Sequence, residues 1–456
     1  MNTFNTINAI CPLDGRYEHN INTLKKYFSE FSLFKYRLLI EIEYFIHLSK
    51  KIPQLSNIDK EIHFILKSIY TNFTIDDCNE IKIIEDNIKH DVKAVEYFIQ
   101  NKFKSYFNYP QLKDTINFIH FGLTSQDINC PAQMLMIKNS INDVFYPTFS
   151  AIIAILDTIA NKYINITMIS HTHGQPASPT TFGKEIRVFK YRLSKEIDNL
   201  KLTKYSTKFG GAVGNFNAHY VAFPNIDWNK FSDDFISSIG LTRNQYTTQI
   251  SNYEEISYIF DTFKRINCIL IDFNTDIWTY ISKNYIKQKI NKNEVGSSTM
   301  PHKINPINFE NSEGNLIIAN SLFEGMSRKL PISRLQRDLT DSTILRNTGI
   351  AFGYSLVAYK SLLSGLDKIE INKYAINIDI EKNYIVLAEA IQTILRREGI
   401  NDAYEMLKDF TRKNTNITSK DIYDFIDKLN INNNVKDELR KITVYNYIGN
   451  ANFYSH

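Results

Sequence analysis

The sequence predicts an all-α protein with three helical regions, the middle one a bundle of long helices. Three observations predict it. Apolar residues recur at spacings of three and four over long stretches, the period of one helix face. Glycine and proline are sparse, 16 and 11 in 456 residues, and they cluster instead of punctuating short strands. No strand-like segments alternate with helices, and no internal repeat is visible. A chain of this length is too long for one simple core.

Taken in order, residues 1–110 read as a smaller helical region closing near Tyr109 and Pro110. Residues 111–366 read as the central bundle. Its first long helix runs from Ala132 to about Ile164, with a bend expected at Pro147, whose ring blocks an interior helical hydrogen bond. A second carries Phe182, Ile186, Phe189, Leu193, Ile197 and Leu200 on one stripe. A third, about Glu254 to Tyr285, carries Ile256, Ile259, Phe260, Phe263, Ile266, Leu270, Phe273, Ile277 and Ile281. At about 1.5 Å per residue, a helix of about 30 residues is roughly 45 Å long. Residues 367–456 read as helical again and richer in Asn and Lys. The broad apolar faces of the middle helices fit burial within one chain and association between subunits equally well.

Composition narrows the function classes. The formal charge of +4 is nearly balanced and no long basic block stands out, so no nucleic-acid partner is expected. Cys11, Cys78, Cys130 and Cys268 are scattered without a CxxC pair, which argues against a zinc ribbon or disulfide framework and fits a reducing compartment. The opening "MNTFNTINAICPLDGRYEHN" lacks a basic stretch followed by an apolar one, so no secretory signal is expected. No apolar run reaches about 18 residues, so no membrane partner is expected either. These features predict a cytoplasmic, soluble protein.

Several polar segments interrupt the helical pattern: "DGRY" (14–17), "KHDVKAVEYF" (89–98), "HFGLTSQDIN" (120–129), "SHTHGQPASPTTFGKE" (170–185), "GGAVGN" (210–215), "VGSSTMPHKINP" (295–306) and "QRDLTDSTILRN" (336–347). Five of the ten histidines, His90, His120, His171, His173 and His302, lie in them, and histidine is the side chain best suited to proton transfer near neutral pH. His171 and His173 suit a metal by type, but no HExxH, CxxC or acidic ligand pattern accompanies them, so no metal is expected. A buried structural histidine is the plainer reading for one of the two. "GGAVGN" lacks the GK[ST] ending of a phosphate loop and reads as a tight turn. The 295–306 loop matches neither GxSxG nor SxxK, so serine-hydrolase chemistry is excluded by spacing.

The loop "GSSTMPHKINP" and the segment "THGQPA" resemble the signature segments of the fumarase/aspartase superfamily, which splits C–N or C–O bonds to release fumarate. "DGRY", "HDVKAVEY", "TSQDIN", "TTQI" (247–250), "ENSEGN" and "QRDLTDSTILRN" resemble, more narrowly, the adenylosuccinate lyase family in its longer bacterial form. The resemblance covers about residues 10 to 450. It implies a three-domain all-α fold whose long helices assemble into a tetrameric core, with active sites shared between subunits. It implies cleavage of adenylosuccinate to AMP and fumarate, and of the ring-opened succinocarboxamide nucleotide (SAICAR) to AICAR and fumarate, without cofactor or metal. By the same resemblance His173 is the general acid and Ser297 the base. Arg16, Tyr17, Arg337, Ser342 and Arg346 contact the nucleotide. His90 and Asp91 line the site, Thr124 and Ser125 hold the succinyl group, and Gln249, Lys303 and Asn311 add further contacts.

Serine is a weak base at its free pKa, so the loop must activate it. Lys303 and loop N–H groups freed by Gly296 and the prolines are placed to stabilise both an alkoxide and the charge developing on the succinyl carboxylate. Ser298 is the rival base, and helix capping is the structural alternative for Ser297. His171 departs from the family pattern and offers a second acid; His173 is preferred because it lies within the matched "THGQ". Gln126 receives no role. A sibling lyase acting on argininosuccinate or aspartate is disfavoured by "DGRY" and "QRDLTDSTILRN", which supply cations for a phosphate. A non-catalytic relative is disfavoured by the presence of Ser297, Lys303 and His173 together.

Overall fold

The computed structural model describes residues 6–289, 300, 303–413 and 417–453. Helix makes up 67% of it, and the strands of the described residues form three separate pairs, so the fold is all-α. The chain divides into two compact units. The first comprises Met1–Phe149, Glu196–Cys268 and Gly314–Ala358; the second comprises Ser150–Lys195, Ile269–Glu313 and Tyr359–His456. The helices Phe182–Lys201 and Glu254–Ser282 match the two apolar stripes read from the sequence.

In the first unit, Ser29 starts the helix Glu30–Ser49 by accepting the Ser32 N–H at 3.2 Å, one of the donors a helix start leaves unpaired. Phe145, Phe260, Phe263, Phe323 and Phe352 form the centre of its core, with successive ring centroids 4.8–5.3 Å apart. Each such buried ring contributes roughly 1.5–3 kcal/mol relative to leaving it in water. Trp228 is buried against His219 at 4.7 Å and Phe231 at 5.0 Å, its Nε1–H donating to the Phe223 carbonyl at 3.1 Å.

A continuous helix occupies Ser125–Lys162, starting seven residues before the expected Ala132. The irregularity expected at Pro147 lies just before it, where Ile141–Phe145 form a wider π-helical turn. The physical reason is the proline: it brings no N–H for the carbonyl of Asp143 and its ring crowds that carbonyl, and the wider turn relieves both. By length and composition this helix is able to cross a membrane. Yet twelve of the residues in its Ser125–Ser140 part are buried, Asp127 among them, as in a core helix.

In the second unit, Thr167–Thr172 and Gln175–Thr181 form an antiparallel hairpin paired from Thr167↔Thr181 to Thr172↔Gln175, with an irregularity at Ile169/Ser170. Its two-residue turn is His173–Gly174, both at positive φ (53° and 72°), the turn geometry that matches strand twist. Gly183 lets the next helix approach an earlier one closely, since a Cβ there would lie 2.3 Å from the Ala160 carbonyl oxygen. Ala388–Arg397, Ala403–Lys413, Ser419–Lys428 and Asn433–Arg440 close around Ile391, Leu395, Leu407, Ile422 and Ile426. Trp278, 44% exposed, donates to Glu310 at 3.0 Å.

Candidate active site

The first unit contains a polar cavity of about 400 Å³ assembled from Leu33 and Arg37 of the helix Glu30–Ser49 and from three further stretches of chain. The first is the corner between the helices Ile75–Ile88 and Asp91–Ser105, where Lys89 turns through positive φ (58°) and His90 caps the second helix. His90 Nδ1 accepts the Lys93 N–H at 3.1 Å, which leaves the ring proton of a neutral imidazole on Nε2. The second is the helix starting at Ser125. Ser125, Asn129 and Gln133 recur every four residues, hence on one face, and all three line the cavity. The third is the segment 337–346, which contributes Arg337, Ser342 and Arg346.

Asp91 sits at the centre of the cavity's charge. Its carboxylate accepts from Arg37 at 2.6 Å, from the Val92 N–H at 2.9 Å and from Arg346 at 3.4 Å. Burial opposes that negative charge, but Arg37, the Val92 N–H and Arg346 outweigh it and hold the pKa below the ordinary carboxylate value. Arg37 is itself buried, and its Nε donates to Asn129 at 2.8 Å. Burial lowers its pKa, with Asp91 acting in the opposite direction. Arg37, Lys89, Arg337 and Arg346 outnumber the carboxylates of Glu85 and Asp91, and with the hydroxyl groups they leave a wall rich in cations and donors, the chemistry that recognises phosphate.

Behind this wall, Asp341 anchors the 337–346 segment. It accepts from Tyr253 at 2.8 Å, from Gln126 at 3.2 Å and from the Ser342 N–H at 2.8 Å. Gln249 accepts from Arg337 at 3.1 Å and donates to the Ala212 carbonyl at 3.0 Å. Beside the Ser125 helix start, His120 bonds Glu41 at 2.6 Å; burial opposes its charge, but the carboxylate prevails and raises the imidazole pKa.

Of the residues singled out in the sequence, His90, Asp91, Ser125, Arg337, Ser342 and Arg346 line this one cavity. Thr124 immediately precedes Ser125, and Gln249 reaches it through Arg337. Arg16 and Tyr17 lie outside its walls: Arg16 is exposed, and Tyr17 packs with Leu13, Ile21 and Val357. In the second unit, His173 is exposed at the hairpin tip, Lys303 is exposed, and Asn311 is half-buried in the helix Ile307–Lys329. His171 is half-buried one strand position from the turn, where burial, followed by Lys283, lowers its pKa. Ser297, Gly296 and Ser298 lie outside the described residues. Among the described residues no three His, Cys, Asp or Glu side chains converge to hold a metal. Motif reading missed Arg37 and Gln133, which look like ordinary helix residues, and gave no role to Asn129, the last residue of the 120–129 segment; the available signal for Arg37 was its place beside Phe34 and Leu38 on an apolar stripe.

A lyase family model matches residues 15–319, and a model described as adenylosuccinate lyase C-terminal matches residues 333–448. An adenylosuccinate lyase of Dictyostelium discoideum is 50% identical, with the match covering 98% of this chain and 97% of that one. The chain belongs to the adenylosuccinate lyase family. A second adenylosuccinate lyase, from Haemophilus influenzae, is 45% identical over 98% of this chain and 97% of its own. A third, from Escherichia coli strain K12, is 42% identical over the same shares. Among solved structures, a fumarate lyase from Mesorhizobium sp. BNC1 superposes with a TM-score of 0.74 at 14% identity, covering 95% of this chain and 96% of that one. The 3-carboxy-cis,cis-muconate lactonizing enzyme of Pseudomonas putida gives 0.72 at 16%, covering 95% and 94%. At such identities these two establish the fumarate lyase fold alone, which is the fold expected from the motifs. This member of the adenylosuccinate lyase family is accordingly an enzyme of the lyase class.

Proposed function

We propose that this lyase eliminates fumarate from adenylosuccinate, releasing AMP, and from SAICAR, releasing AICAR. The observation that supports this best is the cavity holding Arg337, Ser342 and Arg346 around Asp91, a donor-rich site suited to a nucleotide phosphate and ribose. His90, with its proton on Nε2, serves as a further donor there. Thr124 and Ser125, at a helix start where N–H groups face outward, suit a succinyl carboxylate. Arg16, Tyr17, Gln249 and Asn311 complete substrate binding.

In the elimination, Ser297 removes a Cβ proton of the succinyl group and the electron pair forms the new C=C bond. The C–N bond breaks on the opposite face, and His173 protonates the departing nitrogen. Lys303 offsets the charge that collects on the neighbouring carboxylate. His173 suits this role by position: a compact turn presents the ring to whatever docks against the tip. No metal or cofactor takes part. The enzyme works in the cytoplasm as a homotetramer, its sites completed by residues of different subunits, with 1–110, 111–366 and 367–456 as its domains.

The test is fumarate release by the purified protein, with EDTA present, from adenylosuccinate and separately from argininosuccinate. Turnover of adenylosuccinate alone is expected. Turnover of argininosuccinate instead would overturn the substrate assignment, and activity abolished by EDTA and restored by a divalent ion would overturn the metal-free mechanism. His173→Ala and Ser297→Ala are each expected to lower kcat by at least about 10²-fold, the lower end for positioned acid–base catalysis. If Ser298→Ala loses turnover while Ser297→Ala keeps it, the base is Ser298.

A further inference from the structure

Asp127 and Lys208 form an ion pair at 2.6 Å with both side chains fully buried. None of the chemistry above uses either. Removing two charges from water costs several kcal/mol per ion, on the order of what their attraction returns, so such a pair adds little net stability. Its contacts indicate another role. Asp127 Oδ2 accepts the Thr124 N–H at 2.9 Å, which fixes the helix start carrying Thr124 and Ser125. The other oxygen, Oδ1, accepts the Gly210 and Gly211 N–H groups at 2.8 and 3.1 Å. Lys208 closes the loop by donating to the Gly211 carbonyl at 2.6 Å.

The glycine loop leads to Arg337, another wall residue of the pocket, through Gln249. Gly214, at φ 84°, lies so close to the 247–249 segment that a Cβ would fall 2.2 Å from the Thr247 oxygen. Ala212, next to Gly211, accepts the Gln249 amide at 3.0 Å, and Gln249 in turn holds Arg337 at 3.1 Å. One buried carboxylate therefore reaches Thr124 through one oxygen and, through the other, the loop that orients Gln249 and Arg337.

We infer that Asp127 and Lys208 are positioning residues that lock the succinyl-binding helix start and the nucleotide-binding Gln249–Arg337 pair into one spacing. The pair sets the distance between the two halves of the substrate, and neither residue touches it. This inference rests on the substrate reading above, so the test uses the two products as separate probes. The full-length protein is titrated calorimetrically with AMP and with fumarate, and folding of each variant is checked by thermal melting. Gln249→Ala is expected to weaken AMP by roughly tenfold and leave fumarate within about twofold. Asp127→Asn, still folded, is expected to weaken both by roughly tenfold or more, a double loss that general destabilisation of a folded sample does not produce. If Asp127→Asn fails to fold, the double variant Asp127→Asn with Lys208→Met, which leaves no unpaired buried charge, carries the same test. A folded variant that binds both products like wild type overturns the inference. Wild-type protein that binds neither product would instead bring down the substrate reading on which it stands.

Discussion

Arg37 holds Asp91 at 2.6 Å where Arg346 stands at 3.4 Å, so the buried cation is the stronger partner and leaves Arg346 freer to meet an anion. Arg37→Met removes the charge and keeps much of the apolar stem. The Asp91 pKa, now held low, then rises. The charged carboxylate is present above that pKa and lost as pH falls through it, so the acid limb of kcat/KM is expected to move to higher pH. A pH–rate profile that does not move would show that Asp91 ionisation does not limit the reaction. His120 behaves oppositely. Its pKa is raised by Glu41, with Glu96 and Asp127 adding to the effect against burial. The stability this contributes is complete below the ordinary histidine value of about 6.5 and lost as pH rises through the folded value. Melting temperatures across pH should therefore lose part of their alkaline slope in His120→Asn. The site residues legible in the sequence were those embedded in polar motifs, although Asp91, Ser125 and Ser342 lie in helices. Arg37 and Gln133 were not, and Asn129 stood in such a motif without a role, because a helix face reveals its direction only once its neighbours are known.

The helices Phe182–Lys201 and Glu254–Ser282 could be read from sequence because each keeps one apolar stripe for its whole length. The hairpin could not: its strands hold six and seven residues, three of them prolines or glycine neighbours of the turn, and no clear alternation survives. The π-helical turn before Pro147 was foreseen as a break, but its form was not, since a proline only states that the ordinary hydrogen bond is missing. Close approach of helices leaves a sharper trace. Gly183→Ala sets a methyl against the Ala160 carbonyl, and overpacking of this kind costs typically about 1–3 kcal/mol. Urea denaturation should show that loss, and an unchanged midpoint would mean that the two helices separate freely.

Across the whole molecule, the site residues are divided: the cavity and its positioning residue Asp127 belong to one compact unit, His173 and Lys303 to the other. Helix periodicity does not reveal such a division, since the Glu254–Ser282 stripe runs unbroken from one unit into the other. If sites are completed between subunits, mixing inactive His173→Ala and Ser297→Ala proteins and letting them exchange should restore activity in about a quarter of the sites. No recovery after exchange would place both residues of each site in one subunit. The two tryptophans fall one to each unit, Trp228 sealed against His219 in the first and Trp278 half in water in the second. The enzyme thus carries two optical reporters of its own. Trp228 should emit at short wavelength and Trp278 at longer wavelength, so the intrinsic fluorescence spectrum can follow the melting of each half without any added dye.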